Sequence, residues 1–361
     1  VPETAASSLA VYSARPTLKV DGRADERLRA ALLAMEMTEG EGGMSAVELR
    51  FNNHGPIGGS SAGLAFEDGK TLRLGAAITL FAGDETQPRE IFRGTVTGLE
   101  ASFSGDAAPE LVVLAEDALQ KARMARRTAV HERATLSALA SVVANAAGLT
   151  PKVTGLSDDL GTQVQLNESD LSFLRRLLAR HDADLQVVAG ELQVAPRNEI
   201  RRGQVELAMY SALRRVRVLA DLAHQVTETT ASGWDPAQGE RVSATSAGAH
   251  AGPGAGKKGA ELLQGALGAR SEHVADVAVF TDAEARALAE AAFDRRARRF
   301  VVAEGVTEGN PLLRVGTHLK LTGLGPRFSN TYHVVRASHR WDAERGYETE
   351  FEAECAFLGE G

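Results

Sequence analysis

The chain has 361 residues, long enough for two or three domains with cores of their own. Apolar residues make up 43% and charged residues 24%, the balance of a folded globular protein. A formal charge of −8 argues against general nucleic-acid binding, which needs a net basic surface, and a single cysteine, Cys355, excludes a disulfide framework or a cysteine-rich zinc site.

No apolar run approaches the ~20 residues that span a bilayer. The N-terminal residues lack the basic start and apolar segment of a signal peptide. The expectation is a soluble protein made in the cytoplasm, with no membrane partner.

Residues 12 to 115 read mainly as strands. In "VELRF", Val47, Leu49 and Phe51 alternate with Glu48 and Arg50. In "TLRLGAAITLF", Leu72, Leu74, Ile78 and Leu80 share parity, and "REIFRGTVTGLEASF" and "PELVVLA" supply two further strands. Short strands at this spacing predict a small antiparallel barrel or sandwich.

From Glu116 the period changes, and residues 116–200 read as an α+β unit. "EDALQKARMARRTAV" reads as helical, followed by a helix in which Leu136, Leu139, Ala140 and Val143 recur and which Gly148 caps. A second helix follows, with Asn167 as cap and Leu171, Leu174, Leu177 and Leu178 as its apolar stripe. It leads into a hairpin that turns at Ala189-Gly190.

Strands return over 201–242. The interval 243–260 is rich in Gly, Ala and Ser and reads as a flexible linker. It leads into a helical stretch, and a second helix opens on Thr281 and Glu284 in a capping-box arrangement, so that 243–299 form a linker-plus-helix insertion. Residues 300–358 are strands again. In the last of these, Tyr347, Thr349, Phe351, Ala353, Cys355 and Phe357 face one way and Glu348, Glu350, Glu352 and Glu354 the other.

The candidate chemistries do not survive inspection. "GAHAGPGAGKKGA" (248–260) crowds glycines around lysines as a phosphate loop does. Yet the position five before Gly256 is Ala251, not glycine, and Lys258 stands where a hydroxyl must ligate magnesium. "GSSAG" (59–63) places Ser61 in a formal nucleophile-elbow pattern, but no buried strand precedes it and no helix follows, and His54 reads as loop filler.

The nine histidines contain no zinc spacing. His333 and His339 share a strand face but stand roughly 20 Å apart at strand rise. "HDAD" (181–184) reads as a helix end rather than a cation site. The basic clusters 121–127 and 295–299 have no interleaved aromatics to stack on bases, so they read as solvated or inter-subunit helix faces. No catalytic residue, metal site or cofactor is assigned.

Two stretches carry a resemblance. "NESDLSFLRRLLARHDADLQVVAGELQV" resembles the helix-hairpin segment of phage baseplate hub proteins, the late-control-D family. "THLKLTGLGPRFSNTYHVVRASHRWDAERGYETEFEAE" resembles the same family's closing barrel. The intervening segments follow in the same order, and the family is also similar to the N-terminal part of VgrG proteins of type VI secretion.

The resemblance implies an α+β, β-rich chain with two tail-tube-like antiparallel β-barrels: 12–115, and a split second barrel of 201–242 and 300–358. It implies a structural baseplate hub of a contractile tail or injection particle. Such a hub is a homotrimer that adapts a hexameric tail tube protein to a trimeric spike protein on a separate chain, surrounded by baseplate wedge proteins, with no stable nucleic acid binding. Glu348, Glu350, Glu352 and Glu354, too close to be left unsolvated, are expected to face water, either along a central channel or on the outer surface. Two other classes stay open. A hub-associated peptidoglycan hydrolase would need paired carboxylates or a Cys/His dyad, and a carbohydrate-binding barrel would need exposed aromatics.

Overall fold

The computed structural model describes residues 15–57, 61–84 and 87–360. Among these, thirteen strands join in one sheet whose continuous path begins at Leu213–Ala220 and passes through Val301–Glu308, Gly346–Cys355 and Asn330–Asp342. It then crosses into Leu32–Gly40, Ala46–Asn52, Glu110–Glu116, Arg89–Ser102, Ala77–Ala82, Thr17–Val20 and Arg23–Ala24. The C-terminal strands and the N-terminal strands thus meet at one seam, where Arg336 to Asp342 pair antiparallel with Gly40 to Ala34.

That seam exists because Asn330–Asp342 is 13 residues long. Its first part pairs with Thr317–Thr322 and its second with Leu32–Gly40, while Gly346–Cys355 runs along its other edge. Each half packs around its own core. Val47, Leu49, Phe51, Ile78 and Leu80 belong to the first, joined by Trp341 and Tyr347 from across the seam. Leu319, Leu321, Tyr332, Phe351 and Ala353 belong to the second. Two separate closed barrels were the expectation; among the described residues the halves share one sheet, and no ladder closes either of them.

In the first half the alternation of Val47, Leu49 and Phe51 is realised, all three being buried. The parity run Leu72 to Leu80 is not. Gly75, at φ +82°, turns the chain, so the strand starts only at Ala77, Ile78 and Leu80 go in, and Leu74 is left exposed.

The middle unit stacks the helices Leu136–Ala147 and Asp170–Arg180 on the strands Thr150–Val153, Glu191–Pro196 and Ala183–Val188. Both apolar stripes are buried as patterned, each leucine contributing about 1.5–3 kcal/mol of burial. Gly148 caps its helix at φ +80°, and Ala189-Gly190 turns the hairpin with both φ positive. Two readings change. Ser169, not Asn167, caps the second helix, accepting from the Ser172 amide; Asn167 sits left-handed at φ +48°. The "EDALQKARMARRTAV" stretch is helical only over Gln120–Met124, because Arg126–His131 is drawn into a ribbon with Gln163–Ser169.

Glu228–Asp235 and Glu240–Ser246 do not extend the second half. They form a hairpin that takes Ser271–Val274 as third strand and is covered by the helix Asp282–Arg298, with Ala231, Val242, Val279 and Ala289 as core. The first stretch of the second half therefore ends at Ala220 rather than at 242, where the sheet edge ends. Thr281 caps the covering helix, accepting from the Glu284 amide.

The interval expected as a linker is packed. Lys257–Lys258 pairs with Phe357–Leu358, and Asn330 holds Ala255 by accepting from its N–H (3.0 Å) and donating to its carbonyl (2.9 Å). The glycines are there because backbone approaches backbone: a Cβ on Gly256, at φ +126°, would lie 2.1 Å from the Leu358 carbonyl oxygen.

Candidate functional site

Two features of the shared sheet gather charge, and both involve Gly346–Cys355. The first is its polar face. Glu352 stands opposite Glu304 on one side and Arg336 on the other; Glu350 stands opposite Val306 and Ser338; Glu348 stands opposite Glu308 and Arg340. Beyond the seam, Arg340 faces Glu36, which faces Glu48.

Like charges directly opposite are unfavourable, and the arginines relieve them. Arg340 bridges Glu350 (2.7 Å) and Glu36 (2.8 Å), Arg214 pairs with Glu348, and Arg217 reaches Glu304 at 3.8 Å. Open grooves follow this face: one of about 460 Å³ between Arg215, Arg217, Glu304, Arg336 and Glu352, and one of about 290 Å³ between Glu36, Glu48, Arg50, Arg340 and Arg345. The glutamate line is one column of a mixed-charge face. The sequence reading missed its arginine columns, although their alternation stands in "RRVRV" (214–218) and "RASHR" (336–340).

Glu354 departs from its three companions. It is buried, opposite His333, with Arg197 Nη2 at 3.5 Å and Arg299 Nε at 3.6 Å. Alternation fails here because the end of the strand enters the second feature, a buried charge junction in which Ala353, Glu354 and Cys355 are all enclosed.

The junction draws a charged group from every unit. Glu41, just past the first-half strand Leu32–Gly40, accepts from Arg197 Nε at 2.6 Å. Arg197 itself lies in the short turn Arg197–Glu199 that ends the middle unit, and its Nε also reaches His333 Nε2 at 3.2 Å. Asp182 receives both arms of Arg298, the last residue of the insertion helix, at 2.6 and 2.5 Å. Asp184 accepts from the Gly42 amide at 2.6 Å and faces Arg202 at 3.4 Å.

Burial raises the Glu41, Asp184 and Glu354 carboxyls above the ordinary range, against the pull of the neighbouring guanidiniums. The His333 imidazole is pushed far down by burial and by Arg197, so it is neutral and can accept the Arg197 proton. Such a network is costly to break, because removing one partner strands a buried charge.

The other sequence candidates are placed as follows. "HDAD" gives Asp182 and Asp184 to arginines, and among the described residues no three metal-ligating side chains converge. The 295–299 basic cluster is used within the chain: Arg295 donates to Ala179 O, Arg296 pairs with Glu272, and Arg298 and Arg299 enter the junction. Ser61 opens the second strand of a small hairpin, His54–Ile57 with Ser61–Leu64, which is not the strand-then-helix setting of a nucleophile elbow; residues 59 and 60 of that motif lie outside the described residues. His339 is buried, its Nδ1 at 2.8 Å from the Tyr347 hydroxyl. Cys355 is a buried free thiol, pushed up to about 12 by burial. No helix among the described residues is long and apolar enough to cross a membrane.

The 43 kDa tail protein of prophage MuSo2 from Shewanella oneidensis is similar over 94% of this chain and 97% of its own, with TM-score 0.68 at 14% identity. A tail protein from Neisseria meningitidis MC58 is similar over 95% and 96%, with TM-score 0.65 at 9% identity. The E. coli c3393 protein, described as a component of the type VI secretion system, is similar over 95% and 79%, with TM-score 0.58 at 13% identity. At these identities the likeness is one of fold. A search of curated protein sequences finds no match. The family model described as the Alg8 N-terminal domain matches residues 59–342, most of the chain, and the chain belongs to that family.

Proposed function

We propose that the protein is a structural hub of a contractile tail or injection particle, of the late-control-D type, that works as a homotrimer. It joins a hexameric tube protein to a spike on a separate chain, within a baseplate of wedge proteins. Two tube-like units in one chain let three copies present six.

One observation carries this reading. From Leu213–Ala220 to Arg89–Ser102 the shared sheet is a run of eight strands, four from each half, with the seam in the middle. Among the described residues its two ends are unpaired: Leu213–Ala220 has a ladder on one side only, and residues 97–102 pair only with Glu110–Glu116. Unpaired edges of this length invite another strand. A head-to-tail contact between unlike edges of successive copies closes into a three-membered ring when each copy is rotated by one third of a turn from the last. In that ring the mixed-charge face carrying Glu348, Glu350 and Glu352 would line the channel, where a surface without a large apolar patch or a single sign of charge gives a passing polymer little to adhere to.

The fold shared with tail proteins and with a type VI secretion component supports this reading over a hydrolase or a glycan-binding barrel. The test is the solution mass by light scattering, alone and with the tube protein. Three times the 38.2 kDa of the chain is expected. A monomer at every concentration, with and without the tube protein, would overturn it.

A further inference from the structure

A cavity of about 460 Å³ opens beside the buried charge junction. Its walls are Arg197 and Asn198 from the end of the middle unit, Arg298 from the insertion helix, His318 and His333 from neighbouring strands, and the backbone of Ala249 to Pro253 with His250. Every polar side chain that lines it carries nitrogen, and none is a carboxylate, in a chain whose net charge is −8.

The two guanidiniums are 92% or more buried, with residue exposures of 8% and 4%. Each keeps a buried nitrogen without a hydrogen-bond acceptor: Nη2 of Arg197 and Nε of Arg298. Glu41 and Asp182 engage other atoms of these arginines, and Glu354 stands 3.5 Å from Arg197 Nη2 as a charge contact without a hydrogen bond; none of the three carboxylates is among the residues lining the cavity. Burial raises the Glu41 and Glu354 carboxyls above the ordinary range, against the pull of these arginines. The loop wall is fixed rather than loose. Asp294 accepts from the N–H groups of Ala249 (3.1 Å) and His250 (3.0 Å), and Gly252, at φ +81°, keeps the space over Arg298 open, where a Cβ would stand 3.8 Å from its Cδ.

We infer that this cavity is a binding site for an oxyanion, a carboxylate or phosphate group, gripped by Arg197 and Arg298 beneath the Ala249–Pro253 loop. Guanidinium forks match both groups, and imidazole and amide donors complete the shell. The site is built within one chain and does not depend on the trimeric reading.

The test titrates the full chain by calorimetry with citrate and with inorganic phosphate, against sodium chloride at matched ionic strength. Saturable binding of one anion per chain is expected from at least one of the two, citrate alone marking a carboxylate site and phosphate alone a phosphate site. Asn198→Asp and Ala251→Glu put a carboxylate at the rim and in the wall without touching either arginine, and each should weaken binding on the order of tenfold or more. In the unsubstituted protein, the His318 ring resonances should shift with the same midpoint as the heat. Heats that do not saturate, chloride acting equally, or ring resonances that stay still would overturn the site.

Discussion

Glu39 and Arg314, 275 residues apart, close the seam between the two halves of the sheet. Arg314 Nε donates to Glu39 Oε1 at 2.8 Å, the Val315 N–H donates to the same oxygen at 2.7 Å, and the second guanidinium arm takes Oε2. The carboxylate is almost fully enclosed. Burial opposes its ionisation, but the charge and hydrogen bonds of Arg314 outweigh that and hold it below the usual carboxylate range.

Removing one partner should therefore cost far more than removing both. Glu39→Gln strands the Arg314 charge and is expected to destabilise by about 3–5 kcal/mol. The pair Glu39→Leu, Arg314→Met should recover much of that loss. Denaturant midpoints of the three variants measure it. Equal losses for single and double variants would show that the pair does not act as a unit.

His339 gives the chain a pH dependence of known sign. It is fully buried between the Tyr347 hydroxyl and the Thr349 hydroxyl, and burial together with Arg314 pushes its imidazolium down to about 3. The unfolded chain takes up that proton near 6.5. The stability His339 contributes is thus present above 6.5 and lost as pH falls toward 3. The stability difference between wild type and His339→Gln should shrink by about 1 kcal/mol per pH unit below 6. Urea melts of both proteins from pH 7 to pH 4 check it; a difference that does not change with pH counts against a buried neutral imidazole.

Much of the fold was legible because the strongest patterns are local. The stripes Leu136 to Val143 and Leu171 to Leu178, the Gly148 cap and the Ala189-Gly190 turn depend on residues within a few positions, and the structure realises each. What failed depends on distant neighbours. Arg126–His131 has helix-compatible residues but is claimed by a strand partner at 163–169, and residues 228–246 leave the second half because Ser271–Val274 and the helix behind it complete a sheet elsewhere. The site suffered most. Glu354 has the same flanking pattern as Glu352, and nothing within the strand tells that Arg197, from 157 positions earlier, will meet it.

The Gly-rich interval separates a packed segment from a linker experimentally. Gly256→Ala would drive a Cβ into the Leu358 carbonyl at a backbone angle unfavourable to alanine, and should destabilise by more than about 1 kcal/mol. Gly265→Ala, within the exposed helix Gly259–Leu267 and with nothing within 4 Å, should instead stabilise by about 0.5–1 kcal/mol. Thermal melts give the signs, and limited proteolysis should cut 248–260 faster only in the first variant. Equal and small effects would return the segment to the status of a loose tether.

The four glutamates of the last long strand should divide three to one. Glu352 borders an open groove opposite Arg336 and Glu304, so Glu352→Gln removes one unit of charge from a solvated face and should stay within about 0.5 kcal/mol of wild type. Glu354 is enclosed with Arg197 and Arg299, and Glu354→Ala both opens a hole and removes a counter-charge, so a loss of about 2 kcal/mol or more is expected. Assembly separates the same residues the other way. If the mixed-charge face lines a channel, changing Glu348, Glu350 and Glu352 together to Gln should leave the fold intact and slow release of cargo through assembled particles, because the arginine columns then face the lumen without their partners. Unchanged release from well-assembled particles would place this face on the outside of the ring.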